Sequence, residues 1–343
     1  MATPRVSIVM PVYNASKYLE KTIRSMLAQT FTDFEFIAVN DGSKDNSLEI
    51  LNRLAKEDSR LKIIDLGKNE GCPAATNHGM LAAEGEFIAL MDADDISLPE
   101  RLEKQVAYLE THPDVGMLAT QYSRMDPEDK VMRRTHNGHG DAVLKFHLLF
   151  GVPVCNPTIM FRKRISDELK PDVFRAQYSV AQDYDFMLRI ADKGQFHILP
   201  EYLFYYRIHP AAMGTTNRDK VMEQVLARAL PYIAEKAPEL ARHEIAVEKF
   251  IRLQRDNSKP MNGTMLKDYM RGLGLLREGY IRHVNAADRR AIQAFCFELE
   301  AKTLLGRYKL FKKPGLLLKW VLTPRNELRF APLWILFKLM KAA

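Results

Sequence analysis

Residues 86–95 read Glu86-Phe87-Ile88-Ala89-Leu90-Met91-Asp92-Ala93-Asp94-Asp95, an apolar run that passes directly into a cluster of aspartates. A short apolar run of this length is typical of a buried β-strand, so we predict a strand over 86–91. Two carboxylates two positions apart, on a loop leaving a strand, can face the same way and offer oxygen ligands to Mg²⁺ or Mn²⁺. Taken alone, the pattern also fits a solvated acidic turn before a helix.

The same alternation of strand and helix extends back to the start of the chain. Apolar runs predict strands at residues 6–10, 34–39 and 61–66. Apolar residues at helical spacing predict helices between them, at about 18–27, 48–55 and 73–83 and after Pro99. This alternation indicates an α/β fold with a mostly parallel sheet flanked by helices. Ligands of such sheets bind beyond the carboxyl ends of the strands, and polar turns follow the strands at 11–14, 40–43, 69–71 and 92–95.

The composition places the chain among globular proteins. It has 343 residues, of which 47% are apolar and 27% charged, and this excludes disordered, collagen-like and disulfide-rich classes. The three cysteines are widely spaced without a CxxC pair, which favours a reduced, cytosolic compartment. We expect neither a signal peptide nor a membrane-spanning helix, because no suitable apolar run occurs.

The net charge of +7 is concentrated at one end of the chain. Residues 301–343 hold ten basic residues and one acidic residue, whereas residues 1–300 hold 40 basic and 42 acidic residues. Leucines, phenylalanines, Trp320 and Trp334 are interleaved with the basic residues, which indicates an amphipathic tail on an anionic membrane. The alternative is a helical cap packed on the rest of the chain. We do not expect nucleic-acid binding, because the tail is more apolar than a phosphate-binding arm needs to be.

Two common nucleotide-binding signatures are missing from the sequence. It has no GxxxxGK[ST] phosphate loop, and no GxGxxG follows the first predicted strand. Any nucleotide site at the polar turns must therefore be of another kind.

The order of the polar turns resembles that of the family 2 glycosyltransferases of the GT-A fold, which transfer sugars from nucleotide diphosphates with inversion. The resemblance covers about residues 4–215. The matching segments are residues 7–14 (SIVMPVYN), 38–43 (AVNDGS), 69–79 (NEGCPAATNHG), 89–95 (ALMDADD), 154–161 (VCNPTIMF), 181–189 (AQDYDFMLR) and 205–210 (YYRIHP).

The resemblance implies roles for individual residues. Asp183 is the implied general base, and the implied metal ligands are Asp94, Asp92 and His209. The implied nucleotide-sugar contacts are Pro11, Val12, Tyr13, Asn14, Asp41, Asp92, Ala93 and Arg207. The chain departs from the family pattern at Asn40, where an acid is common, at Thr76, where a basic residue is frequent, and at Gln182, where many members have Glu.

The implied activity is a transfer dependent on Mn²⁺ or Mg²⁺. A hexose would pass from a nucleotide-diphosphate sugar, with UDP favoured, to a hydroxyl of a glycan or lipid-linked acceptor. The implied location is cytoplasmic, on the inner face of the cell membrane. The expected domains are a catalytic domain over 1–215 (nucleotide-sugar half 1–122, acceptor half 123–215), a helical region over 216–300 and the tail over 301–343.

Two other functions stay open. A polyprenyl-phosphate sugar synthase would share the N-terminal motifs but would not need Asp183 as a base. A sugar-nucleotide-binding protein without activity would keep the nucleotide site alone. A processive synthase is disfavoured, because spanning helices and a QxxRW-type motif are both missing.

Overall fold

The computed structural model describes residues 3–138, 140–210, 216–256 and 260–303. The chain divides into two compact units. The first comprises the chain up to Asp141 together with Val152–Gln224, and the second comprises Ala142–Gly151 and the chain from Val225 onward. From residue 304 on, the predicted basic tail lies outside the described residues.

The first unit is built on a single sheet. Its strands are β1 (Val6–Val12), β2 (Phe34–Asn40), β3 (Leu61–Asp65), β4 (Phe87–Leu90), β5 (Ile96–Ser97), β6 (Val115–Met125), β7 (Val131–Arg134), β8 (Met160–Arg162) and β9 (Gln195–Arg207). Their order is β3-β2-β1-β4-β8-β6-β9-β5, and β7 pairs with β6. The four strands predicted from the N-terminal sequence are confirmed, each within two residues of its predicted ends.

The direction of the strands changes across the sheet. Strands β1 to β4 pair in parallel, as predicted. Strand β8 is antiparallel to both β4 and β6, whereas β9 runs parallel to β6 and antiparallel to β5. The sheet as a whole is therefore mixed, and the parallel half is the part that carries the predicted nucleotide loops.

Helices flank this sheet. They are α1 (Ser16–Leu27), α2 (Ser47–Glu57), α3 (Cys72–Ala82), α4 (Arg101–Thr111), α6 (Lys163–Asp167) and α7 (Gln182–Ile190), whereas α5 (Asp141–His147) belongs from Ala142 on to the second unit. Helix α3 packs most tightly on the strands, because Gly79 has no side chain. A Cβ at Gly79 would lie 2.6 Å from Val9 Cγ1 and 3.3 Å from Val39 Cγ2. Helix α3 is thereby fixed directly on β1 and β2.

The second unit is helical. Its helices are α8 (Arg218–Lys236, from Val225 on), α9 (Glu244–Arg255), α10 (Gly263–Tyr280) and α11 (Ala286–Lys302). Aromatic rings form its core, with the Phe250 ring centroid 5.2 Å from that of Phe150 and 5.0 Å from that of Tyr269. Within the described residues, no helix is both long enough and apolar enough to cross a membrane.

Candidate active site

The loops that follow β1 and β2 are joined by hydrogen bonds. Asn14 has a left-handed backbone conformation (φ 49°), its backbone N–H donates to Ser43 Oγ at 3.1 Å, and its Oδ1 accepts from the Lys44 N–H at 2.8 Å. The Tyr13 side chain is half exposed beside them. Asn14 therefore sets the conformation of both loops, and Tyr13 offers an accessible ring at their edge.

Asp41 connects these loops to the start of α3. Its carboxylate accepts hydrogen bonds from the backbone N–H groups of Glu70 (2.6 Å) and Gly71 (3.0 Å). Gly42 (φ 64°) lets the two loops approach closely, since a Cβ there would lie 2.4 Å from the carbonyl carbon of Lys68. Asp41 is itself buried, and each of its carboxylate oxygens has the capacity for a second hydrogen bond.

Val12 faces away from this edge. Its side chain is fully buried in the hydrophobic core, and its carbonyl accepts from the Asp41 N–H at 2.8 Å. The nucleotide contact at Val12 therefore stays a prediction, and the buried side chain would take no part in it. Pro11 is partly buried at the same strand end.

The aspartates after β4 lie in a neighbourhood rich in negative charge. Asp92, Ala93 and Asp94 are partly exposed. Burial together with the charges of Asp94 and Asp183 raises the pKa of Asp92 to about 7. Asp183 thus lies close enough to act electrostatically on Asp92, although more than 80 residues separate them in the sequence. Crowded carboxylates of this kind suit a cation, whose charge would favour their ionised form.

Asp94 and His209, two of the predicted metal ligands, are in direct contact. His209 Nε2 lies 2.8 Å from Asp94 Oδ2, and the His209 ring packs against Tyr18 with 5.4 Å between ring centroids. Among the residues that the structure describes, no three or more His, Cys, Asp or Glu side chains form a cluster able to hold a metal ion.

Asp183 lies in the first turn of α7. Its Oδ1 accepts a hydrogen bond from the Tyr184 N–H at 2.8 Å. Burial and the charges of Asp95, Asp92 and Asp183 raise the pKa of the Cys155 thiol well above its usual range. Cys155, in the segment that precedes β8, therefore lies within electrostatic range of the aspartates after β4 and of Asp183.

The comparisons with known proteins agree with this arrangement. The sequence model of glycosyl transferase family 2 matches residues 7–170. An uncharacterised glycosyltransferase of Methanocaldococcus jannaschii is 33% identical over 235 residues, which cover 67% of this chain and 77% of that protein. Chondroitin synthase of Pasteurella multocida is 27% identical over 216 residues, or 63% of this chain and 22% of the synthase.

The chain belongs to glycosyltransferase family 2. Its fold is the GT-A fold, which it shares with residues 1–349 of Staphylococcus aureus TarS in complex with UDP-GlcNAc. That structure aligns with a TM-score of 0.59 at 18% identity and covers 90% of this chain and 92% of TarS 1–349. The predicted fold class and the predicted enzyme class, a glycosyltransferase, are confirmed.

Arg207 of this glycosyltransferase lies against the acidic segment that follows β4. Its side chain is fully buried, its Nε donates to the carbonyl oxygen of Asp94 at 2.6 Å, and its backbone N–H donates to Asp95 Oδ1 at 2.7 Å. Its Nη2 has no hydrogen-bond partner within the described part of the chain, and the nucleotide contact at Arg207 stays a prediction. Its other contacts assign it to positioning of the acidic segment.

The other contacts of Arg207 lie in the turn between β6 and β7. Its Nη1 donates to the carbonyl oxygens of Asp126 (3.2 Å) and Pro127 (3.4 Å) and forms an ion pair with Asp129. Its guanidinium also packs over the Tyr18 ring at 4.3 Å. One side chain thus joins the β6–β7 turn to the backbone of the predicted metal motif.

Arg101 is a second buried arginine that we did not predict. Its Nη2 donates to the carbonyl oxygens of Leu90 (3.1 Å) and Ile159 (3.2 Å), and its Nε donates to Gln105 Oε1 (3.0 Å). Burial lowers the pKa of Arg101 to about 9. The signal in the sequence is the spacing of Arg101 and Gln105, four apart and interleaved with the apolar face of α4. That spacing places two polar side chains toward the core.

We expect Arg207→Lys to lower kcat/KM for sugar transfer about 10- to 100-fold, since small displacements of catalytic groups cost this much. Lysine lacks the planar fork that lets Arg207 contact the Asp94 carbonyl and the β6–β7 turn at the same time. Steady-state kinetics would measure the change, with Arg133→Lys on the exposed strand β7 as the matched control. An unchanged kcat/KM in Arg207→Lys would contradict the positioning role.

Proposed function

We propose that this protein is an inverting, metal-dependent glycosyltransferase that moves a sugar from a UDP-sugar to a hydroxyl of a glycan or lipid-linked acceptor. The observation that carries the proposal is that Asp183 of α7 lies close enough to act electrostatically on Asp92, at the end of β4, next to the pair formed by Asp94 and His209. One end of the site would bind the charged leaving group, and the other would accept the proton of the incoming hydroxyl.

The side chains present fit a divalent cation such as Mn²⁺ or Mg²⁺. Asp94 and His209, which are in contact, would be its direct side-chain ligands, with Asp92 close by, since such ions are bound through one or two carboxylates together with phosphate oxygens and water. Burial and the charges of Asp94 and Asp183 raise the pKa of Asp92, and a cation bound beside it would favour its ionised form. When bound, the cation would neutralise the charge on the departing diphosphate.

The nucleotide side of the site would be formed by Pro11, Tyr13, Asn14, Asp41 and Ala93, which lie at the carboxyl ends of the parallel strands. Hydrogen-bond acceptors of the kind that Asp41 presents suit the N–H group of a uracil ring. TarS was solved with UDP and with UDP-GlcNAc, and for this reason we place uridine donors first.

The proton transfer would be the task of Asp183. The acceptor oxygen forms a bond to the anomeric carbon while the bond from that carbon to the diphosphate breaks, and the diphosphate leaves with the electron pair. The hydroxyl proton passes to the carboxylate of Asp183, which lies in the first turn of α7. A single in-line displacement inverts the anomeric configuration.

A donor screen tests the activity and its need for metal. Purified protein is incubated with UDP-, dTDP- and GDP-sugars with Mn²⁺ or Mg²⁺, and released nucleoside diphosphate is measured with and without EDTA. We expect release from a UDP-sugar that EDTA suppresses and that added metal restores. Release that is unaffected by EDTA would contradict metal dependence. If no donor is cleaved, UDP calorimetry tests the binding-protein alternative.

We expect Asp183→Asn to lower kcat about 10²- to 10⁴-fold, the usual contribution of a general base. The dissociation constant for UDP should change less than about threefold, because the amide keeps the shape of the side chain. Kinetics and calorimetry measure the two quantities. Wild-type transfer to a phosphate acceptor by this variant would favour the polyprenyl-phosphate synthase, since a phosphate acceptor needs no base.

We propose that the basic tail holds the enzyme on the inner face of an anionic membrane, near a lipid-linked acceptor. Each basic residue at such a surface contributes about 1 kcal/mol. We expect the full-length variant with Lys309, Lys312, Lys313 and Lys319 replaced by glutamine to co-sediment less with anionic vesicles. The control variant replaces Lys56, Lys220, Lys249 and Lys267, which are exposed, and changes the net charge equally. Equal loss in both variants would contradict a specific role for the tail.

A further inference from the structure

The segment that precedes helix α7, which carries Asp183, is joined to α3 by two hydrogen bonds of one side chain. Asn77, in the second turn of α3, donates from Nδ2 to the carbonyl oxygen of Phe174 at 2.7 Å. Its Oδ1 accepts from the backbone N–H of the same residue at 2.8 Å. An amide is suited to this double contact, because it presents a donor and an acceptor side by side.

The segment around Phe174 is in turn held by α7. Arg189, in the last turn of α7, donates from Nη1 to the carbonyl oxygens of Asp172 and Val173, both at 2.9 Å. The buried Phe174 ring packs against Phe186 of the same helix, with 4.8 Å between ring centroids. The segment and α7 are therefore joined to each other at several points.

A second contact links the beginnings of the two helices. Gln182, the first residue of α7, donates from Nε2 to Cys72 Sγ at 2.9 Å, and Cys72 is the first residue of α3. Asp183 directly follows Gln182. Two residues of α3, Cys72 and Asn77, therefore fix the position of Asp183.

Helix α3 is itself fixed on the donor side of the site. It lies directly on β1 and β2 at Gly79, and the loop before it is held by the Asp41 carboxylate. An uninterrupted series of contacts thus runs from the strands that carry the nucleotide loops, through α3 and Asn77, to α7.

We propose that Asn77 is a positioning residue for the Asp183 carboxylate, because its paired hydrogen bonds with Phe174 fix α7 on α3. This inference rests on the proposed role of Asp183 as the base. Asn77 acts on the proton-accepting side of the reaction and leaves donor binding to the loops of β1 and β2.

The test uses Asn77→Asp in the full-length enzyme. Aspartate keeps the size of the side chain and still accepts from the Phe174 N–H, but it sets a carboxylate oxygen against the Phe174 carbonyl. We expect kcat to fall about 10- to 100-fold per folded molecule, as a shift of the base of about 1 Å would produce. The dissociation constant for UDP should change less than about threefold, as for an interaction made only in the transition state. Leu81→Gln, at an exposed position of α3, is the control and should keep wild-type kcat.

A double-mutant cycle with Asp183→Asn separates positioning from general damage to the fold. If Asn77 acts through Asp183, then Asn77→Asp should cost nothing further in single-turnover assays of the Asp183→Asn background. The same loss in both backgrounds, or a wild-type kcat per folded molecule, would overturn the proposal. Full activity of Asp183→Asn alone would instead refute the proposed base, so the two failures are distinguishable.

Discussion

The burial of acidic side chains beside one another is the constraint around which this site is built. Asp92, Asp94 and Asp95 follow β4, and Asp183 of α7 acts electrostatically on Asp92. Their surroundings screen charge less well than water does. Burial raises the pKa values of Asp92 and Asp95, and the charges of neighbouring aspartates raise them further. Keeping several carboxylates ionised close together costs free energy, and a positively charged ligand would lower that cost.

Two buried arginines limit that cost from behind the acidic segment. Arg101 and Arg207 bind the carbonyl oxygens of Leu90 and Asp94, so they hold the backbone on either side of Asp92. Their charges also lower the pKa values of Asp92 and Asp95, respectively, against the stronger effect of burial. Because the two guanidinium groups bind the backbone, the carboxylates of Asp92 and Asp94 keep oxygens for a ligand. Burying an arginine costs desolvation free energy, and the hydrogen bonds of Arg101 and Arg207 offset part of that cost.

The sequence predicted the parts of this enzyme that depend on local pattern. Continuous apolar runs marked β1 to β4, and the polar turns after them marked the edge where Asn14, Asp41 and Asp92 lie. The pairing of β4 with β8, and of β6 with β8 and β9, joins segments far apart in the chain, and no local periodicity records it. A motif also does not tell whether its residue faces a ligand or the protein. The side chains of Val12 and Arg207, both assigned to the nucleotide, are buried in the protein.

Thr76 stands in α3 where the family frequently has a basic residue, and its contacts explain how it is accommodated. The Thr76 hydroxyl donates to the carbonyl oxygen of Cys72 at 2.7 Å within the helix, and Thr76 is buried. Because the Thr76 side chain is buried, it helps to pack α3 on the sheet and does not need to contact the ligand. For the proposed reaction, α3 must keep Asp183 at a fixed distance from the anomeric carbon while other loops hold the donor. Close packing at Gly79 fixes α3 on β1 and β2. Hydrogen bonds from α3 to the segment before α7 fix the helix that carries Asp183.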